Sequence, residues 1–278
     1  MRHRSVTSSV AKHGRTRRHT TAAARPRIGA VQLGDIPRVV LAVHEDSPSL
    51  RVAVRRGVDI LELRVDQLGS DKPTAAVTRA TSIQRYGLPV IGTVRSSREG
   101  GAAKTLSEAA RATLYTAISP FVDAVDVEIR SARALEGALR VARANGNVVI
   151  LSHHNFSKTP ALTELVEIAD RAADLGADII KIATQTRGAD DLLRVFHFTE
   201  QQRARNLVVI AMGATGSVSR LLLPLAGSLL TYTNLTPSLG QIPLDRLIDD
   251  LRFYYPAYDT DIAKRLRRTA RHGSSKMG

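Results

Sequence analysis

Asn147-Val-Val-Ile-Leu-Ser-His-His154 and Asp178-Ile-Ile-Lys-Ile-Ala-Thr-Gln185 are short apolar runs, rich in β-branched residues, that each end in polar side chains. The 23 residues between them, 155–177, suffice for one crossover helix and two loops. A strand buried on both faces reads as such a continuous apolar run, and two in succession with a helical stretch between them describe a parallel strand-helix-strand unit. Working outward, the same unit recurs. Arg38-VVLAVH, Asp59-ILELRVD, Pro89-VIGTVR and Ala124-VDVEIR precede it, and Asn206-LVVIAMG and Ser228-LLTYTN follow. Eight strand-helix units predict a closed (β/α)8 TIM barrel, an α/β fold with its chemistry at the carboxyl ends of the strands. The rival is an open doubly wound sheet. It would carry a glycine-rich phosphate loop after its first strand, where this chain has Val43-His44-Glu45-Asp46.

Punctuation between the runs agrees. Asp46-Ser47-Pro48 offers a cap followed by an N1 proline, Thr159-Pro160 opens another amphipathic stretch, and Gly57, Gly87, Gly146 and Gly176 stand where helices must stop before the next strand. With 278 residues, 43% of them hydrophobic, the chain can bury one large core. It has no cysteine, which excludes disulfides, thiolate metal sites and a cysteine nucleophile. No apolar run reaches membrane-spanning length and the N-terminus lacks a secretory apolar centre, so a cytoplasmic location and no membrane partner are expected.

The formal charge of +14 lies in the ends. Residues 1–27 hold eight Lys and Arg, residues 263–278 hold six, and neither stretch has an acid, so 26 basic residues face 26 acids in residues 28–262. The expected organisation is a basic disordered tail over 1–27, a catalytic barrel over 28–262 and a basic tail over 263–278. Strings such as Arg15-Thr-Arg17-Arg18-His19 carry no aromatic interleaving and no groove-reading motif, so no specific nucleic-acid partner is expected.

Polar residues on the strands mark candidate chemistry. Glu62, Arg64 and Asp66 share one face by the period of two, as a substrate clamp or an internal ion-pair ladder. Arg95 ends the third strand and Glu99-Gly100-Gly101 follows; Asp126 and Glu128 sit on the fourth; Ser152-His153-His154-Asn155 ends the fifth; Arg220 follows the seventh. His153 and His154 are adjacent, hence on opposite faces, and cannot share one metal. Lys181 stands between Ile179-Ile180 and Ile182-Ala183. Desolvation there disfavours an ammonium ion, so the residue reads either as an amine of lowered pKa able to condense with a ketone, or as a structural lysine paired with a carboxylate such as Glu128.

Taken in order, Glu62-Leu-Arg64-Val-Asp66, Arg95-Ser-Ser-Arg-Glu99-Gly-Gly, Ser152-His-His154-Asn-Phe-Ser-Lys-Thr-Pro160, Lys181-Ile-Ala, Met212-Gly213 through Ser219-Arg220, and Gly240-Gln241 resemble the blocks of type I 3-dehydroquinate dehydratases over roughly residues 38–245. The resemblance implies a (β/α)8 homodimer that dehydrates 3-dehydroquinate to 3-dehydroshikimate in the shikimate pathway, without metal or organic cofactor. It assigns Lys181 the imine, His154 the proton transfers and Glu99 the orientation of His154. Arg220 would hold the substrate carboxylate, and Glu62, Arg64, Arg95, Ser238 and Gln241 would line the substrate site. Two departures stand out: Thr236-Pro-Ser238-Leu-Gly-Gln241 replaces the usual Ser-Ala-Pro-Gly-Gln, and Asn155 replaces the commoner Asp. The other readings are a class I Schiff-base aldolase, a dehydratase of an altered dehydroquinate such as an amino analogue, and a non-catalytic barrel whose tails bind polyanions.

Overall fold

Every apolar run folds as a strand, and the residue just before it often caps its neighbour. Asp59 accepts the Val39 N–H, Asp123 that of Val90 and Asp178 that of Val149, each at 2.8 Å, and Ser228 accepts that of Val209 at 3.0 Å. These side chains satisfy amides that the first rungs of a parallel ladder leave open at the amino end of the barrel.

The computed structural model describes residues 25–102, 106–236 and 240–262. A hairpin of β1 (Arg27–Ile28) and β2 (Val31–Gln32) precedes eight strand-helix units: β3 (Arg38–Val43), α1 (Pro48–Arg56), β4 (Ile60–Arg64), α2 (Pro73–Gln84), β5 (Val90–Thr93), α3 (Glu108–Ile118), β6 (Ala124–Glu128), α4 (Glu136–Ala144), β7 (Val148–Asn155), α5 (Leu162–Asp174), β8 (Ile179–Gln185), α6 (Ala189–Gln201), β9 (Leu207–Met212), α7 (Ser219–Ala226), β10 (Leu230–Asn234) and α8 (Leu244–Tyr254). The parallel ladder runs β10-β3-β4-β5-β6-β7-β8-β9. Between β9 and β10 the Leu229 N–H reaches the Leu207 carbonyl at 2.8 Å, so the barrel is nearly closed, without a registered ladder at that seam.

Alternation separates two cores. Leu41, Leu61, Val125, Val149 and Ile182 face the helices; Val40, Ile60, Ile91, Ile150, Ile179 and Val208 fill the lower barrel interior. Ile28 and Leu33 of the hairpin pack into that inner layer and plug its amino end. The expected tail boundary at residue 27 is therefore too late. Arg27 starts β1 and donates to Gln32 and to the Ala30 carbonyl. Residues 1–24 and 263–278, which make up the rest of the two expected tails, lie outside the described residues.

Ser47 is the N-cap of α1 with Pro48 following, as expected, and Gly57 stops that helix at φ 125°, a conformation that favours glycine. Thr159-Pro160 is not a helix start. α5 begins at Leu162 with Ala161 as N-cap, because Thr159 is turned to Thr184 and to the Gln185 carbonyl on β8. No helix among the described residues is long and apolar enough to cross a membrane.

Candidate active site

Inward positions at the carboxyl half of the barrel carry a continuous charged cluster. Lys181, on β8, is 4% exposed and is the one buried lysine among the described residues. Its Nζ lies 2.8 Å from Asp126 Oδ2 and 3.4 Å from Glu62 Oε1, and 4.3 Å from the centre of the Tyr232 ring. The carboxylates are themselves held. Thr93 donates to Glu62 at 2.9 Å, Ser152 donates to Asp126 at 2.6 Å, and Arg95 bridges Asp126 (2.9 Å), Glu128 (3.2 Å) and Ser152 (2.7 Å).

Two expectations for Lys181 are corrected here. Its partner is Asp126, not Glu128, although both carboxylates occupy inward positions on β6. Glu128 is occupied by Arg95, by Arg111 from α3 and by the Ser96 N–H. Nor is the resting amine lowered in pKa. Burial pulls it down, but the adjacent Asp126 and then Glu62 outweigh that and hold it above the ordinary lysine value. Asp126 is pushed the other way: burial opposes its charge, and Arg95 and Lys181 win, keeping it an anion.

His154 projects from β7 beside this cluster. In the register of β7 with β8, Ser152 pairs with Lys181 and His154 with Ala183, so the imidazole sits one inward position nearer the barrel mouth than the ammonium. Glu99 Oε2 accepts the His154 backbone N–H at 2.9 Å and lies 3.0 Å from Nδ1. With Glu99 ionised, that contact takes the Nδ1 hydrogen and leaves Nε2 with a free lone pair. Burial first, then the Arg95 and Lys181 charges, hold the ring well below the usual histidine range, hence neutral. Glu99 is raised to about 7, chiefly by burial and then by Glu128, against the His154 N–H, Arg95 and Arg130. Arg130 Nε reaches its other oxygen at 3.0 Å.

The short turn carrying Glu99 (Ser97–Glu99) requires the two glycines after it. Gly100 has φ 82°, and a Cβ there would stand 2.6 Å from the Phe156 ring; a Cβ on Gly101 would run into the Arg95 carbonyl. Asn155 uses its amide oxygen to accept from the Ser157 and Lys158 amides, both at 3.0 Å, so the turn after His154 needs an acceptor but no charge.

Arg220, at the start of α7, is buried. Nη1 donates to the Ala211 carbonyl (3.0 Å) and to Ser219 (2.9 Å), Nε has no partner, and no carboxylate pairs with it among the described residues. Burial alone lowers it to about 10. A dry, unneutralised guanidinium of this kind has donors left over for an anion. Arg64 is ion-paired within its own segment to Asp66, whose oxygens also accept the Arg95 and Ala102 amides, so the ladder reading accounts for that pair. Gln241 accepts from Asn234 at the end of β10, and Gly240 lies against Gly213, just after β9. Ser238 lies outside the described residues. Sequence reasoning assigned no role to Thr93, Ser152 or Tyr232. Their inward parity was the available signal, and for Tyr232, between Thr231 and Thr233, even that pointed no further than the core.

Fold and cluster together define the class: an enzyme built as a (β/α)8 barrel, with a buried lysine, a carboxylate-held histidine and an unpaired arginine at the carboxyl ends of its strands. Residues 36–256 match the family model described as type I 3-dehydroquinase. The chain is 36% identical over 233 residues to 3-dehydroquinate dehydratase of Methanosarcina barkeri, covering 81% of this chain and 96% of that one. It is 32% identical over 220 residues to that of Thermodesulfovibrio yellowstonii, covering 78% and 95%. Among solved structures it superposes on the Clostridium difficile type I enzyme, solved with covalent modified comenic acid, at TM-score 0.78 and 25% identity, covering 85% of this chain and 100% of that one. The Geobacillus kaustophilus enzyme gives 0.76 at 28% identity, with 84% and 96% covered. The chain belongs to the type I 3-dehydroquinase family.

Proposed function

We propose that this enzyme dehydrates 3-dehydroquinate to 3-dehydroshikimate through an imine on Lys181, with His154 carrying the protons. The observation that supports this most directly is the buried Lys181 amine beside Asp126 and Glu62, on the strand next to a neutral His154. Because the resting amine is an ammonium, substrate capture has to release a proton, which the Nε2 lone pair of His154 receives as Nζ bonds to the ketone carbon. Nζ then adds to the C3 ketone, whose oxygen leaves as water with one proton from Nζ and the one His154 returns, so that Nε2 is a free base again. The resulting iminium acts as the electron sink that a ketone oxygen alone does not provide. His154 removes the C2 proton, the C1–oxygen bond breaks, and the departing hydroxyl takes a proton back from His154. Water finally hydrolyses the imine and restores the ketone and the amine.

Glu99 fixes the tautomer and steadies the imidazolium in each transfer. Arg220 receives the substrate carboxylate in place of the anion it lacks. Glu62, Arg64, Arg95, Ser238 and Gln241 complete the reading as the residues that line the substrate site. It assigns the reaction to the shikimate pathway, with the enzyme acting as a cytoplasmic homodimer, a state that light scattering of the purified protein tests. The central test is chemical. Borohydride added with 3-dehydroquinate should attach the ligand irreversibly to the peptide containing Lys181, and Lys181→Ala should abolish both that adduct and formation of the conjugated enone. Absence of both from the wild-type protein overturns the reading.

A further inference from the structure

Positive charge also gathers outside the site just described. The turn before α4 and the end of α5 line an open cavity of about 380 Å³ with Arg130, Arg133 and Arg171. Asp174 is the one acid lining it, and Ile129 and Leu175 form its apolar part. Neither Arg133 nor Arg171 makes an ion pair among the described residues, and Arg130 engages only Nε, with half its side chain exposed. Neighbouring helices pack α2 on α3, α3 on α4, α5 on α6, α6 on α7 and α7 on α8, whereas α4 and α5, like α1 and α2, pack more sparsely and leave a gap that these arginines line. His153 points toward that gap from β7. Its buried Nε2 has no partner, and after burial the charges that most oppose its protonation are those of Arg130 and Arg171.

Three guanidiniums, set against Asp174 in the groove and Glu99 on Arg130, leave one positive charge unneutralised, and a second when Arg130 turns from Glu99. Planar forks of N–H donors match a tetrahedral oxoanion better than they match one another, and the volume lies in the range of small-ligand sites. Arg130 gives the groove a consequence, because the same guanidinium holds Glu99, the carboxylate that holds His154. We propose that the groove between α4 and α5 binds a dianionic oxoanion, a phosphate or sulfate group, and that the bound anion inhibits the enzyme by drawing Arg130 away from Glu99. Without Arg130 the Glu99 carboxylate is more readily protonated and no longer accepts the Nδ1 hydrogen. By reciprocity the anion binds more tightly when Glu99 is neutral.

The test uses sulfate and glycerol phosphate as probes, with sodium chloride at equal ionic strength as the blank. Calorimetry on the wild-type enzyme should show saturable binding of at least one of them. Arg133→Ala/Arg171→Ala, two exposed side chains outside the catalytic machinery, should weaken it at least tenfold while leaving basal turnover and thermal midpoint unchanged. Arg220→Ala should leave it intact. Sulfate, dianionic throughout, should move the acid limb of the kcat profile to higher pH in the wild type and not in the double variant. No saturable binding, or binding lost with Arg220 instead of the groove arginines, overturns the site. Binding without the shift in the acid limb overturns the coupling through Arg130.

Discussion

Asp126 governs more of the electrostatics than its place in a five-residue strand announces. One carboxylate accepts from Lys181, Arg95 and Ser152, so it sets the charge of the amine and the position of the groups beside it. Asp126→Asn keeps the shape and removes the charge. The Lys181 ammonium then loses its main counter-ion while burial still acts, so its pKa falls and the amine is neutral at lower pH. Borohydride trapping with substrate should reach half its maximum at a pH lower by about one unit or more. Turnover should still drop, because Arg95 is left without one of its anchors. Removing one partner from a buried ion cluster should also cost on the order of 3 kcal/mol in urea unfolding. An unchanged trapping profile would mean that Asp126 does not set the amine's charge.

At the scale of elements, the strands were legible and the connections to the charges were not. Barrel strands are buried on both faces, so each appears as an unbroken apolar run, and all eight runs became strands within a residue or two. The hairpin β1–β2 escaped because two-residue strands have no periodicity; only Ile28, Val31 and Leu33 mark it. For Lys181 the parity of β6 admitted both Asp126 and Glu128. What decides between them is Arg111, reaching in from a helix 17 residues earlier in the chain, a contact that no local pattern reveals. Glu99-Gly100-Gly101 was legible as a motif, but its reason is spatial: the turn folds under Phe156 and against Arg95. Gly101→Ala should force that turn outward and carry Glu99 off His154. We expect kcat to fall by about a hundredfold or more with little change in KM, since general acid-base catalysis is worth roughly that much and the substrate anchor proposed at Arg220 is untouched. A rise in KM at constant kcat would instead make the turn a binding element.

Across the whole molecule, the site's charges pull stability in opposite directions with pH. Asp66 and Asp126 have lowered pKa values, Asp66 through Arg64 against the cost of burial, so the stability they contribute is present above the ordinary carboxylate range and is lost as pH falls through it. The buried neutral His154 acts in the same sense, because below about pH 6.5 the unfolded chain takes up a proton that the folded ring refuses. Glu99 opposes them. Raised from 4.5 to about 7, it keeps a proton in the folded enzyme that the unfolded chain has released, so stability declines as pH rises across that window. At about 1.4 kcal/mol per unit, and allowing for relaxation of the site, the loss by pH 8 is about 2 kcal/mol. Glu99→Gln removes the titration. In the free energy of urea unfolding the variant should lie close to the wild type at pH 5 and exceed it by most of that amount at pH 8, while its turnover collapses at both. An equal difference at the two pH values would show that the carboxylate which orients His154 is not held against its charge by the fold.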